Sequence, residues 1–491
     1  MATIKEQAAA IKGYAAEIDA AIVAKGGTTI GGLRNAAAAI ESLPCGETPI
    51  AERGDVNFFL PDGRLVRSFS SSEFISALDD VTSLEALVPM PVMVGLKAES
   101  WNWTDTTWAQ TKANLTNQLN SRGRCDIGGV YTTDNGETRL YINIADDARL
   151  LQPLNFGRDG GESVTVDWGD GSTDEYSHEA PEVVTHTYTV RGEYVIRLRA
   201  NSGGILVLYG SGSAHTNVFG LYDTTETNPG RVYCSRLHRV ELGDNVKVDQ
   251  YAFNAFRCLE TAIISRGVVG IGINAFSGCQ TLKAMIIPNR YTKISDAMVS
   301  YSYRLSVVSI PYSVVEIGNR AFGGCQGLSN VVIPNSVKVL TGNAFNSCTS
   351  LNAIDIPDGV GGSPLVSNRA IQGNTFYNCE SLSRVYLPDG IERIYSGAFS
   401  GTVALSSVRL PATINYIDAN AFKGCLSVVY FDFSHHQTVP NLTNISAFDG
   451  VAVGCKIVVP DALYDDWIVS TNWINESIRS KIIKASEYFG G

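Results

Sequence analysis

No stretch of about 18 or more consecutive apolar residues occurs in the chain, so the sequence contains no candidate for a membrane-spanning helix. A basic stripe is also missing. The 38 lysines and arginines stand against 49 aspartates and glutamates, a net charge of −11 that argues against a nucleic-acid partner. The opening Met-Ala-Thr-Ile-Lys-Glu-Gln lacks a basic stretch followed by an apolar core, so export by a standard leader is not expected. There is no Cys-x-x-Cys pair, phosphate-cradling Gly loop, His-Glu-x-x-His run or Gly-x-Ser-x-Gly elbow. The 6 histidines are scattered, and only His435 and His436 are adjacent, in a polar turn without further metal ligands. Carboxylates are plentiful, but nothing singles out a pair for glycoside hydrolysis. No catalytic residue, cofactor or metal is therefore expected, and the chain reads as a non-enzyme.

What the chain does have is a period. Between residues 229 and 450 a unit of about 23 residues recurs, roughly A-F-x-x-C-x-x-L-x-x-V-x-I-P. Its Phe slot holds Phe253, Phe276, Phe322, Phe345, Phe376, Phe399 and Phe422, with Met298 in the one gap. The step from Phe345 to Phe376 is longer, and the extra residues at 361–368, rich in Gly, Ser and Pro, read as a loop bulging from one rung. Proline recurs at 288, 311, 334, 357, 388 and 411, where a residue without an N–H ends a short strand. One unit cannot bury its own apolar side chains. Stacked units can, which predicts a solenoid with one continuous core.

Of the 10 cysteines, Cys234, Cys279, Cys325, Cys348, Cys379 and Cys425 share one repeat slot, filled elsewhere by Ser302 or Thr402. Such a slot asks for something small and buried. Neighbouring rungs lie about 5 Å apart, yet side chains pointing the same way rarely reach disulfide torsion.

Strand positions that alternate with the inward Leu, Val and Ile face out. In the early rungs this outward column carries Ile263, Ile286, Val307 and Val332, an apolar strip that calls for a cover, either another subunit or the neighbouring sandwich. In the late rungs it carries Arg384, Tyr386, Arg409, Tyr430 and Asp432, a mixture enriched at recognition surfaces and also compatible with an ordinary solvated face.

Ahead of the repeats, residues 3–25 place Ile4, Ala8, Ile11, Ala15, Ile18 and Ile22 at alternating steps of four and three, a short heptad seam ended by Gly26-Gly27. Residues 1–45 therefore read as a helical attachment or oligomerisation segment, with Ile4, Ile11, Ile18 and Ile22 as the self-association contacts. The alternative is an amphipathic helix that folds back on its own domain. Residues 46–149 read as an α/β module, with a hairpin about Pro61-Asp62-Gly63 and a helix over 72–88. Its Trp101, Trp103 and Trp108 are either a sugar-stacking platform or core. Residues 150–228 contain Val164-Thr-Val-Asp-Trp-Gly-Asp-Gly-Ser172 and His186-Thr-Tyr188, a β-sandwich candidate with its connecting segment. Asp167 and Asp170 either hold calcium or cap backbone N–H groups. Residues 451–491 supply the cap that the last rung needs, with a strand near 455–459 and helix over 473–485. The fold class is thus multidomain and mainly β: helical segment, α/β module, sandwich, solenoid and C-terminal helical cap.

Three resemblances attach to these residues. The repeats, in segments such as Asn319-Arg-Ala-Phe-Gly-Gly-Cys325, resemble BspA-like leucine-rich repeats of bacterial surface and phage tail proteins, which implies binding or spacing without catalysis. The Trp-Gly-Asp-Gly and His-Thr-Tyr pair resembles a PKD domain, usually a spacer or adhesion module. The opening segment, with Ile22-Val-Ala-Lys-Gly26, and the stretch Gly95-Leu-Lys-Ala-Glu-Ser-Trp-Asn-Trp103 resemble parts of gut-phage virion proteins. That likeness implies a tail or head fibre assembled in the host cytoplasm, a homotrimer joined to other virion proteins through its N-terminus, and a distal adhesin for a host-surface glycan or protein. A bacterial cell-surface adhesin of the same repeat class is the alternative, and a carbohydrate-active enzyme, resting on the tryptophans alone, is a third.

Overall fold

In the computed structural model, which describes residues 54–145, 150–212, 216–221, 233–360 and 369–490, the hairpin expected about Pro61 is the first described element. The seam residues Ile4, Ile11, Ile18 and Ile22 and the insertion at 361–368 lie outside the described residues. Strand β1 (Val56–Phe59) turns into β2 (Leu65–Phe69), and helix α1 (Ser71–Asp79) follows at once. Its start is set by a capping box: the Ser70 hydroxyl accepts from the Glu73 amide and the Glu73 carboxylate accepts from the Ser70 amide. Helix α2 (Leu84–Leu87), strand β3 (Leu96–Trp101), helix α3 (Trp108–Arg122) and strand β4 (Cys125–Thr133) complete a four-stranded sheet of order β2-β1-β4-β3. Gly123, at φ 68°, ends α3 in the left-handed conformation that glycine adopts most readily.

One face of this sheet packs on its own helices. Phe58, Phe74, Leu78, Trp101, Leu115, Leu119 and Ile127 form that core. Trp101 is fully buried with its indole N–H donating to the Val88 carbonyl at 2.8 Å, and Trp103 is 2% exposed against Tyr312. Of the two readings, sugar platform or core, these two tryptophans follow the second. The other face of the sheet is buried too, since all nine residues of β4 are enclosed.

Strand β5 (Thr138–Ile144), which the expected boundary at 149 assigns to the module, belongs instead to the next body. There β6 (Leu151–Asp159), β7 (Val164–Asp167), β8 (Thr173–Tyr176), β9 (Glu182–Thr187), β10 (Gly192–Ala200) and β11 (Ile205–Leu208) join it in two sheets around a shared core that includes Trp168, Phe156, Ile196 and Leu208. After a small hairpin of β12 (Thr216–Asn217) and β13 (Gly220–Leu221), the repeats begin with β14 (Leu237–Leu242), β15 (Val246–Val248), β16 (Thr261–Ile264) and β17 (Val268–Ile271). No gap separates them from the sandwich. One sheet runs β16-β14-β5-β10-β7-β8 and the other β17-β15-β11-β6-β9, so each sandwich sheet continues directly into one wall of the solenoid. The sandwich is the N-terminal cap that a repeat stack requires.

Most later rungs add a short strand to a wall, paired in parallel with a neighbour, as in Ala353–Asp355 with Arg384–Tyr386 and Arg393–Ile394 with Tyr416–Ile417, while the rung at 329–333 carries no strand and divides one wall into separate sheets. The Phe column is a stack of nearly parallel rings: Phe322 and Phe345 are 5.3 Å apart, Phe376 and Phe399 5.4 Å, Phe399 and Phe422 5.4 Å. Phe345 and Phe376 remain stacked at 5.8 Å, so the rungs either side of 361–368 stay in step. Phe448, 5.7 Å beyond Phe422, is a further rung. Beside the rings, the Cys279, Cys325, Cys348 and Cys379 thiols each donate to a carbonyl one rung back, at 3.1–3.2 Å. All cysteines among the described residues are free. Burial pushes the Cys325 and Cys379 thiols up to about 12, which keeps them inert.

The C-terminal end departs from expectation. Residues 473–485 are not a continuous helix: Glu476–Arg479 is helical, and Ile482–Lys484 is a strand that extends the wall beside Lys456–Val459. An open sheet edge needs a partner, and a strand supplies backbone hydrogen bonds that a helix cannot. The apolar end is closed by Trp467 and Trp473, both fully buried, which meet Phe433, while Trp473 also meets Phe448.

Candidate functional site

The outward column of the strand wall divides at the middle of the solenoid. Its early half is buried: Ile263, Ile286 and Val307 are 2%, 4% and 4% exposed. The cover is neither a second subunit nor the sandwich but the far face of the α/β module. Phe59 and Val130 pack with Ala284, Ile286 and Val307, and Leu60, Met93, Leu96 and Tyr131 with Ile263. Gly128 makes the approach possible, because a Cβ there would lie 2.4 Å from the Ile286 side chain. Several polar groups inside the joint are matched. The Asn102 amide donates to the Ile287 carbonyl at 2.9 Å, the Ser309 hydroxyl to the Asp126 carbonyl at 2.7 Å, and the Asn335 amide N–H to the Gln118 side chain at 2.9 Å. The first outward pair, Arg239 and Glu241, is enclosed as well: Glu241 is 1% exposed, paired with Arg239 at 2.7 Å and Arg139 at 3.5 Å.

The late half is open, with two exceptions. Arg384 is exposed and paired with Asp355 at 2.9 Å, Tyr386 is 41% exposed, and Arg409 points into solvent. These three expected contact residues stand on the outward face of successive rungs, whose strands Arg384–Tyr386 and Ser407–Arg409 belong to separate sheets. Tyr430 does not join them on open ground, because the helix Ala485–Phe489 brings Tyr488 and Phe489 within 5.3 and 5.8 Å of its ring. Asp432 turns its carboxylate to the Ser434 amide at 2.9 Å. Two arginines that sequence reasoning missed stand beside the open face. Arg122, at the end of α3, lays its guanidinium 4.6 Å from the Tyr386 ring centre and pairs with Asp358. Arg124 follows two residues later. The only signal in the sequence was the Arg122-Gly-Arg124 helix stop, which says nothing of what the helix end will meet.

The remaining chemical candidates are engaged locally. Asp167 accepts from the Gly169 amide at 2.8 Å and pairs with Arg197 at 3.1 Å. Asp170 accepts from Ser172 and meets His186 at 2.8 Å. Partial burial raises the Asp170 carboxyl, but the Ser172 and His186 hydrogen bonds outweigh it and hold it at about 2. Both carboxylates thus do the capping work of a tight turn. His436 is not in an open polar turn but 2% exposed between Phe433 and Trp467, and burial lowers its imidazole to about 4. No cluster of three or more metal-ligating side chains occurs among the described residues.

The family described as BspA type Leucine rich repeat region matches residues 233–362 and 366–453, in 6 copies. These rungs are BspA-type leucine-rich repeats. Solved structures similar to the chain include a leucine-rich repeat protein from Bacteroides ovatus, 22% identical, covering 49% of this chain and 76% of that one with a TM-score of 0.26. A leucine rich cell surface protein from Faecalibacterium prausnitzii is 21% identical, over 44% of this chain and 78% of its own, with a TM-score of 0.25. A T. pallidum leucine-rich repeat protein is 25% identical, over 39% and 83%, with a TM-score of 0.30. No curated protein matches the chain. Within the BspA-type repeats, then, a strand wall is half covered by the chain's own module and half open.

Proposed function

We propose that the chain is a non-catalytic adhesin whose late repeats contact a host-surface ligand. The observation that carries this reading is the uncovered stretch of wall bearing Arg384, Tyr386 and Arg409, which continues the same surface that the module buries in the early rungs. A parallel array of exposed arginine and tyrosine offers charge, hydrogen bonds and flat apolar area at low entropic cost, the combination that dominates recognition surfaces. The sandwich, fused by both sheets to the first rungs, acts in this reading as a PKD-like spacer. The seam at Ile4, Ile11, Ile18 and Ile22 would then join three copies and dock them on other virion proteins, making the protein a tail or head fibre. A bacterial cell-surface adhesin would use the same face.

Adsorption decides the binding half of the reading. The triple variant Arg384→Ala, Tyr386→Ala, Arg409→Ala should lose adsorption to host cells while unfolding at an unchanged temperature, since all three side chains are exposed or half-exposed. Unchanged adsorption rejects it. Immunogold labelling separates the two placements, on particles for a virion protein or on cell envelopes for a bacterial one.

A further inference from the structure

Where the covered and open halves of the wall meet, the end of α3 and the strands form a shallow recess open to solvent, lined among others by Gln118, Arg122, Arg124, Val332, Asp355 and Arg384. Three arginines thus converge on one recess of a chain whose net charge is −11. Two of them face an acid, Arg122 with Asp358 and Arg384 with Asp355. Arg124 is exposed and has no ion pair or side-chain hydrogen bond to any described residue. The recess therefore carries one uncompensated positive charge.

Resting on the adhesin reading, we propose that this recess selects an acidic saccharide, one carrying a carboxylate or a sulfate ester. The anionic oxygens accept from Arg124 and Arg384, while the half-exposed ring of Tyr386, held under Arg122, gives the sugar an apolar surface. The pair between Arg384 and Asp355 is exposed and so weak in water, which leaves Arg384 able to turn toward an incoming acid. A neutral sugar would leave the spare charge unanswered. The competing account, an arginine clamp that only fastens module to repeats, explains Arg122 through Asp358 but leaves Arg124 without a purpose.

The test is calorimetric titration of the full chain with three oligosaccharides of equal length, one bearing uronates, one bearing sulfates and one neutral, at low and high salt. At least one acidic probe should bind, weaken as salt rises, and lose about tenfold or more in affinity in Arg124→Ala and in Arg384→Ala. Arg124→Lys should recover part of it, which a merely structural role would not produce, and the uronate and sulfate arms identify the acid. Binding of the neutral probe with equal strength, indifferent to salt and to Arg124→Ala, overturns the acidic assignment and leaves the adhesin reading in place. The same holds if no saccharide binds but the triple variant loses adsorption, since the ligand is then of another class. If no saccharide binds and adsorption survives the triple variant, both readings fall.

Discussion

Ile286 and Arg409 occupy the same place in their rungs, the outward last residue of Ala284–Ile286 and of Ser407–Arg409, yet one is 4% exposed beneath the module and the other points into solvent. The backbone of the two rungs is alike. The difference lies in what the outward slot carries and in how far the module reaches. A repeat fixes a stack but not the use of its flank, which is free to be either a joint or a contact surface. The covered half shows how tightly this wall can hold a partner, with glycine for close approach, apolar filling and matched amides. The open half has none of that filling, and its outward residues Arg384, Tyr386 and Arg409 are left to solvent.

The largest expected effect comes from exchanging the two environments. Ile286→Asp places an unpaired carboxylate in the joint and should cost about 3–5 kcal/mol, read by chemical denaturation, with dye-detectable apolar surface appearing as the module lifts. Arg409→Ala, at the equivalent slot, should stay within about 0.5 kcal/mol. Similar costs at both positions would erase the distinction. Next is a pH effect at the far end of the open half. His436 is buried neutral, with its folded value lowered to about 4 from an ordinary 6.5 chiefly by burial. A depressed value means that the folded state resists protonation, so the stability from this group is intact above about pH 6.5 and lost as pH falls towards 4. The loss approaches about 3 kcal/mol at the bottom of that window. Carboxylates titrate in part of the same range, so the comparison is with His436→Gln, whose melting temperature should fall less steeply between those limits. Parallel curves would remove His436 from the account.

A smaller effect tests the joint from the module's side. Gly128→Val should cost about 2 kcal/mol, because its Cβ meets the Ile286 side chain at 2.4 Å and both surroundings are packed. Gly160→Val, with nothing within 4 Å of its Cβ, separates backbone strain from this clash, since its own left-handed φ of 68° penalises valine without any neighbour to strike.

The stack was readable from sequence because the Phe and Cys slots recur with fixed spacing, and each repetition testifies to the others. The apolar outward strip was readable too, including its need for a cover. What covers it was not, since β4 shows only a buried strand with two glycines, and nothing in Gly128-Gly129 names Ile286 as the neighbour. Nor was the fusion of sandwich and solenoid legible. Thr138–Ile144 looks like any alternating strand, and only its pairing with Leu237–Leu242 reveals that two domains share their sheets. The arginine recess depended on residues more than 250 apart in sequence, Arg122 and Arg384, and no local pattern records such a meeting. Tyr430 was misplaced for a related reason, because the strand Ile482–Lys484 hides within a segment whose composition favours helix.

The smallest effect concerns what both halves share. In most rungs the corner before the Phe slot turns through a left-handed residue: Tyr251, Asn274, Ala297, Arg320 and Asn343 in the early half, Asn374, Gly397 and Asn420 in the late half, all with φ between 50° and 68°. Asparagine tolerates this conformation through local hydrogen bonding and glycine through lack of a Cβ, whereas alanine has neither recourse. Ala297 at φ 50° is therefore a strained member of the column, as are Tyr251 and Arg320. Ala297→Gly should raise stability by about 0.5–1 kcal/mol, the relief of left-handed strain exceeding the entropy that glycine adds to the unfolded chain. Asn374→Gly, in the open half, should change it by no more than a few tenths. Both substitutions leave the flank untouched, so neither should alter adsorption. If Ala297→Gly destabilises, the corner is held by side-chain packing rather than by backbone preference, and the two halves of the solenoid differ in their frame as well as in their cover.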